Sequence, residues 1–184
     1  MTILVNVETE PKAHVIKSDE QAIAQIIQAA VDVGIAKAAV RDTIDFVRHR
    51  TRPWIDSNVE HGYQDPLLIY NFGQVQIQVH GAEALLSRAG EYIDKAIASN
   101  LSESTVAEAS IAVAEAKALA AEASLLATNK LFELAGTKST LEEFNYNRHW
   151  RNARTHMHDP VRWKYYAVGN YFLNNLNPPR HPWL

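Results

Sequence analysis

The sequence predicts an all-α protein, an up-down four-helix bundle with a short additional C-terminal helix. Its 184 residues include only seven glycines and seven prolines, and most of these lie between long uninterrupted segments. In those segments the apolar residues, which are abundant in this chain, recur at helical spacing. Signals for helix starts precede most of them. We therefore expect an extended entering segment at 1–17, one bundle domain at 18–175 and an irregular tail at 176–184.

The first two helices are predicted to be long. Ser18 and Gln21 form a capping box that opens the first helix, which should run to about Arg50. The second should run from about Pro66, a residue favoured at the first helical position, to Ser99. The apolar residues at helical spacing in the first helix include Ile23, Ile26, Ile27, Ala30, Val31, Ala38, Ile44 and Val47.

The third helix is predicted at Val106–Leu134, behind a capping box of Thr105 and Glu108. It is rich in alanine, and small residues on several faces indicate a central helix with close neighbours. Gly136 follows it as a typical stop.

Two further helices complete the prediction. Thr140 opens the fourth, again as a capping box, and the helix ends before Asp159 and Pro160. This pair is in turn an N-cap and first-position signal for a last helix at Val161–Leu173. The apolar face expected for this last helix comprises Val161, Tyr165, Val168 and Phe172.

Composition excludes several classes of function. The formal net charge of −3 argues against nucleic-acid binding and a polybasic membrane surface. The absence of cysteine excludes disulfides and thiolate chemistry. Neither a signal peptide nor a run of about 18 apolar residues is evident, so we expect a cytoplasmic protein without membrane contact. The pair His156 and His158 lacks a third ligand at a fitting spacing, so we expect no metal site.

Positive charge is concentrated in two places. Residues 144–163 carry four arginines and three histidines among aromatic residues, a composition that suits either an anionic ligand or a subunit interface. Residues 46–54 place arginines and Trp54 where the first helix ends, which is either a contact surface for a phosphate or a dipole-matched helix end. His156 and His158 are candidates for acid/base catalysis or for a structural corner.

At this point the sequence resembles a known family. Residues 126–174, with the FELAGT turn and the RHWRNARTH…HDP run, together with the Arg50–Trp54 loop, resemble the C-terminal helical domain of acyl-CoA dehydrogenase-like flavoproteins. Within these flavoproteins, the sequence more specifically resembles the reduced-flavin monooxygenases that include dibenzothiophene monooxygenase. It implies a bundle at the core of a homotetramer, a dimer of dimers, preceded in full-length members by a helical domain and a β-domain. Residues 1–17 would then be a remnant of the strand that enters the bundle.

The resemblance also implies a cofactor and site residues. Reduced FMN is the expected cofactor, with FAD as the alternative, and the substrate would be a small sulfur or related heteroatom compound. The family pattern His-x-x-His-Asp-Pro is one residue shorter here, which turns one histidine by about 100° and leaves open which of the two faces the flavin. The implied catalytic residues are His158 and His156, and the implied cofactor-binding residues are Arg50, Arg52, Trp54, Glu133, Gly136, Thr137, Arg151 and Arg154.

Two other functions stay open. An acyl-CoA dehydrogenase with FAD would need a glutamate base near its substrate, and the segment after Arg154 offers histidine instead. A catalytically silent oligomerisation domain, or a truncated product, would need no complete flavin site. For an active protein, a separate chain or a flavin reductase is a further expected partner.

Overall fold

The computed structural model describes residues 18–157 and 161–179, and within these ranges the chain is helical, with no strand. The segment predicted at 1–17, the corner that contains His158, and the end of the tail lie outside the described residues. The helices are α1 (Ser18–His49), α2 (Pro66–Ala98), α3 (Glu103–Ala135), α4 (Asn147–His156) and α5 (Val161–Asn174). Short 3-10 turns occupy Gly62–Gln64, Thr137–Thr140 and Glu142–Phe144.

The helices form the predicted up-down bundle. α2 is antiparallel to α3, because the ion pairs between the two helices connect later residues of α2 with earlier residues of α3. α1 is parallel to α3, and α4 runs back along α1 in the opposite direction. The contacts that establish these directions are Arg88–Glu115 and Lys95–Glu108 between α2 and α3, Asp32–Lys117 between α1 and α3 with Thr51–Ala135 just beyond the end of α1, and Asp42–His149 and Asp32–His156 between α1 and α4.

The prediction that the alanine-rich helix is central is confirmed. More than half of the residues of α3 are buried, and most of those are alanines. Its alanines pack against Ala29, Val33 and Ala36 of α1 on one side and against Val75 and Val79 of α2 on another. Small side chains allow the backbones to approach closely, which explains why alanine rather than leucine fills this core.

The face of α1 that enters the core differs from the prediction. Ile23, Ile27 and Val31 are 41%, 58% and 43% exposed, whereas Ala29 and Ala36 are fully buried. Apolar residues occupy both faces of this helix, so periodicity alone does not select the buried one. The close approach of α3 selects the face with the smaller side chains.

One property of α1 bears on the expectation of no membrane contact. By length and composition, Ala22–His49 is apolar enough to cross a membrane, a test that the core helix of a soluble bundle also passes. In this structure the helix buries the charged Asp32 in a pair with Lys117 of α3. Charge pairing of this kind is what a helix inside a protein core requires.

Two predicted helix starts are wrong. The N-cap of α3 is Ser102, whose hydroxyl accepts a hydrogen bond from the backbone N–H of Thr105 at 3.4 Å. The fourth helix does not open at Thr140, which lies in a 3-10 turn, but at Asn147. Between them Asn145 has a φ of 48°, a left-handed conformation that interrupts any helix.

The buried face of α5 also differs from the prediction. Lys164 and Ala167 are buried, whereas Tyr165 and Phe172 are 49% and 61% exposed. The prediction followed apolar residues only, and the core face of this helix includes a lysine. α5 packs against α3 on the side of α2, near Tyr165, so that α4 and α5 cover different sides of the central helix.

Candidate functional site

Two sequence motifs meet at one end of the bundle. The hydroxyl of Thr51, in the loop that follows α1, donates a hydrogen bond of 3.1 Å to the carbonyl of Ala135 at the end of α3. The next residue, Gly136, ends α3 with a φ of 83°, and a Cβ added there would meet no atom within 4 Å. The loop at 50–54 and the turn at 132–137 are therefore neighbours, and the backbone at Gly136 is open to a ligand.

An aromatic cluster lies beneath the first of the predicted arginines. The guanidinium of Arg50 lies over the ring of Phe144, 5.0 Å from its centroid. Phe144 meets Phe46 edge to face at 5.1 Å and stacks on Tyr146 at 5.6 Å. Burial, followed by the charge of Asp42, raises the pKa of Tyr146. The cluster fixes the position of Arg50 through its ring contact and leaves its N–H donors available.

The other predicted residues at this end of the bundle differ in their exposure and in their contacts with the rest of the chain. Arg52 is exposed and makes no hydrogen bond or ion pair with any described residue. Trp54 is 69% exposed. Glu133 is paired with Lys130 at 2.6 Å, on an exposed part of α3. Thr137 is exposed in the 3-10 turn that follows Gly136.

The arginines of α4 divide between two faces. Arg151 and Arg154 lie on the outer face, where Arg154 is 5.8 Å from the ring of Trp150 and Arg151 is 3.4 Å from the side chain of Asn145. Arg148 instead donates a hydrogen bond of 2.6 Å to Asp42 of α1. These three arginines recur at every third residue of α4, but only Arg151 and Arg154 are exposed.

The inner face of α4 carries two histidines, each held by an aspartate of α1. His149 contacts Asp42 through Nε2 at 2.7 Å, and only 7% of its side chain is exposed. His156 contacts Asp32 through Nδ1 at 2.7 Å, with 27% of its side chain exposed. The second oxygen of Asp32 accepts a hydrogen bond of 2.6 Å from the ammonium of Lys117, and neither of these two side chains has any exposure.

Asp32, Asp42 and Lys117 escaped the sequence analysis. Each of them lies in a helix that the sequence predicts as an apolar core element, and no motif surrounds it. Of the two predicted histidines, His156 lies against this network, and His158 is outside the described residues. Within the described part of the chain, no group of acidic residues and histidines has the arrangement of a metal site.

The predicted residues form two regions that one small ligand cannot bridge. Asp32, which holds His156, and Arg50 are separated by 18 positions on α1 or directly after it. At 1.5 Å per residue this separation is about 27 Å along the helix axis. Arg50, just beyond the end of α1, and His156, beside the middle of α1, therefore lie too far apart along the bundle for one small ligand to contact both.

Comparison with known proteins agrees with the helical architecture. A family model described as the C-terminal domain of acyl-CoA dehydrogenase matches residues 26–163. Dibenzothiophene monooxygenase from Mycolicibacterium goodii is 33% identical over 159 residues, which cover 85% of this chain and 38% of that protein. The probable FMNH2-dependent monooxygenase SfnC of Pseudomonas putida is 30% identical, over 85% of this chain and 40% of its own length.

A solved structure extends the comparison. FMN-bound TdsC from Paenibacillus sp. A11-2 superimposes with a TM-score of 0.86 at 29% identity, covering 91% of this chain and 42% of that one. The chain thus spans about two fifths of the length of the curated relatives that it matches. Because the family model covers most of the sequence, the chain belongs to the acyl-CoA dehydrogenase C-terminal domain family.

Proposed function

We propose that this chain is the C-terminal helical domain of a flavin-dependent monooxygenase. The whole protein would use reduced FMN and O2 to oxidise a small sulfur or related heteroatom compound. The observation that carries the proposal is His156, a titratable group at the end of α4 that is held by a buried carboxylate and still partly exposed. The relatives include a dibenzothiophene monooxygenase and a probable FMNH2-dependent monooxygenase, which supports the same substrate class and cofactor.

The two aspartates of α1 that contact the inner face of α4 are both engaged, which favours oxygenation over dehydrogenation at that face. A dehydrogenase of this family would need a carboxylate that is free to accept a proton from its substrate. Asp32 is committed to Lys117 and His156, and Asp42 to Arg148 and His149. His156 instead offers an imidazole whose Nε2 makes no hydrogen bond to any described residue, and histidine is the side chain most often used in general acid–base catalysis.

The described residues fit the phosphate of FMN. Arg52 has no partner among the described residues, and Arg50 is held only through the face of Phe144, so both guanidiniums keep donors for an anion. Paired guanidiniums bind phosphate through strong, charge-assisted hydrogen bonds. Gly136 and Thr137, at the same end, leave room for a ligand to approach the backbone. Reduced FMN, when bound, would supply the electrons for activating O2.

The separation within α1 supports a site shared between two copies of the chain. Along the axis of α1, Arg50 lies about 27 Å from Asp32, which holds His156, and this is further than one FMN extends. We therefore infer that the arginines of one copy bind the phosphate of a flavin whose reactive ring lies beside His156 and the outer arginines of another copy. A site shared in this way requires at least two copies of the chain. We propose the dimer of dimers that the family resemblance implies, with the rest of the pocket supplied by the remainder of the protein.

An anaerobic titration with reduced FMN tests the proposal. The chain, at a measured native mass, is titrated by calorimetry, and the affinity is compared with that of Arg52→Ala. Loss of charge-assisted hydrogen bonds of about 1.5–3 kcal/mol should weaken binding roughly 10- to 100-fold. The matched control is Arg41→Ala, which removes the same charge from an exposed position of α1.

The outcomes separate the proposal from the oligomerisation hypothesis. Binding that is weakened by Arg52→Ala and unchanged by Arg41→Ala supports a flavin half-site. Equal weakening by both variants would mean that the affinity for reduced FMN depends on the net charge of the chain and not on a contact with Arg52. A folded oligomer that binds no reduced FMN would identify the chain as an assembly domain.

A further inference from the structure

The ion pair between Asp32 and Lys117 is buried where an apolar pair would serve the core equally well. Its two side chains have no exposure, and alanines and valines such as Ala29, Val33 and Ala36 surround this part of the interface. Charged groups are rarely buried fully, and replacing a buried ion pair by well-packed apolar residues is often neutral or stabilising. Core stability alone therefore does not explain the presence of this pair.

The pair has a third member that distinguishes it from a simple bridge. Asp32 uses one oxygen for the ammonium of Lys117, at 2.6 Å, and the other for Nδ1 of His156, at 2.7 Å. An ionised carboxylate can only accept hydrogen bonds, so Nδ1 of His156 carries the proton. The Nε2 atom makes no hydrogen bond to any described residue, and it keeps its lone pair in the neutral ring.

This arrangement prepares His156 for proton transfer. A carboxylate on the far nitrogen fixes the tautomer and the orientation of the ring, and it stabilises the imidazolium that forms when Nε2 takes up a proton. Lys117 fixes the orientation of the carboxylate in turn and balances its charge.

His149 provides an internal contrast. It is also held by an aspartate of α1, but through Nε2, and its side chain is nearly closed to solvent. Asp42, which holds it, pairs with Arg148 rather than with a buried lysine. The two histidines on one face of α4 should therefore carry their protons on opposite ring nitrogens, and the side chain of His156 is the more exposed of the two, 27% against 7%.

We propose that Asp32 and Lys117 are positioning residues that hold His156 as the Nδ1–H tautomer, so that its Nε2 exchanges a proton at the flavin site. The proposal rests on the proposed function, because Nε2 has a reaction partner only if this end of α4 faces a flavin.

The tautomer of His156 can be measured without any flavin. In the 15N-labelled chain, long-range proton–nitrogen correlation spectra distinguish the protonated from the unprotonated ring nitrogen, and His156→Gln assigns the signals. We expect the neutral ring of His156 to be protonated at Nδ1 and that of His149 at Nε2. Protonation of His156 at Nε2 would overturn the proposal.

A paired variant tests the cause. Asp32→Ala combined with Lys117→Met removes both charges together and leaves no unpaired ion in the core. We expect the single Nδ1–H signal of His156 to be lost in favour of a tautomer mixture, while His149 keeps its proton on Nε2 as evidence of an intact fold. A His156 that keeps Nδ1–H alone in this variant would refute the positioning role.

Addition of reduced FMN then separates this inference from the proposed function. A shift of the His156 Nε2 resonance on anaerobic addition of reduced FMN, absent for His149, places the free nitrogen at the flavin. If the tautomer is as expected but calorimetry detects no FMN binding, the proposed function fails and the positioning role fails with it. If FMN binds and the tautomer is wrong, only the positioning role is overturned.

Discussion

Replacing Lys117 by methionine should destabilise this chain more than any change of surface charge. Methionine matches the length and nearly the volume of lysine but lacks the ammonium. Asp32 would remain fully buried with His156 as its sole described partner. Removing one partner of a buried ion pair typically costs about 3–5 kcal/mol, because it leaves an uncompensated buried charge.

A second ion pair supplies the matched control. Lys37 and Glu83 join α1 and α2 at 2.5 Å, nearly the distance of the buried pair, but their side chains are 57% and 34% exposed. An exposed pair contributes about 0–1 kcal/mol. The same substitution, Lys37→Met, should therefore cost at least about 2 kcal/mol less than Lys117→Met, and burial alone accounts for the difference.

Urea denaturation followed by far-ultraviolet circular dichroism measures both effects, at one protein concentration because any self-association adds to stability. We expect the double variant Asp32→Ala/Lys117→Met to recover most of the loss, since no charge is left without a partner. Equal losses for Lys117→Met and Lys37→Met would refute the reasoning. A double variant as unstable as the single one would assign the loss to packing rather than to charge.

Two further predictions follow from local geometry. Gly136→Ala should lower the free energy of unfolding by about 1–3 kcal/mol, because a φ of 83° with a ψ of 177° is essentially restricted to glycine. The control Gly90→Ala, inside α2 with open space around it, should raise the free energy of unfolding by about 0.5–1 kcal/mol. Burial, and then the hydrogen bond with Glu122, raises the pKa of Tyr165 to about 12. The native state therefore keeps this proton where the unfolded chain loses it, so stability should fall as pH rises from about 10 to 12, and Tyr165→Phe should reduce that fall in alkaline urea titrations.

The long helices were predictable because their signals are local. Pro66 stands at the first position of α2 and Gly136 directly after α3, as the sequence indicates. The start of α4 was not predictable in this way. Thr140 is a residue type that favours helix caps, but the left-handed Asn145 interrupts the helix after it. The neighbours of Asn145, Phe144 and Tyr146, both pack onto Phe46 of α1, a contact that local sequence does not reveal.

The candidate site was only partly predictable for the same reason. The arginines and histidines could be listed from the sequence, but their grouping depends on contacts between distant residues. The hydrogen bond from Thr51 to Ala135 joins residues 84 positions apart, and the one between His156 and Asp32 joins residues 124 apart. Spacing within a single helix cannot reveal such pairs.

The buried charges nevertheless left a trace in the sequence. Glu108, Glu115 and Glu122 recur every seven residues and line one side of α3, where the first two pair with α2. Lys117 lies two residues after Glu115, about 200° around the helix, among alanines. A charge that departs from the charged side of its own helix must find a partner on a neighbouring helix or remain unpaired in the core. Asp32, equally isolated in the apolar stretch of α1, is that partner. A charged residue on the apolar side of one core helix therefore predicts a residue of opposite charge on the apolar side of the helix next to it.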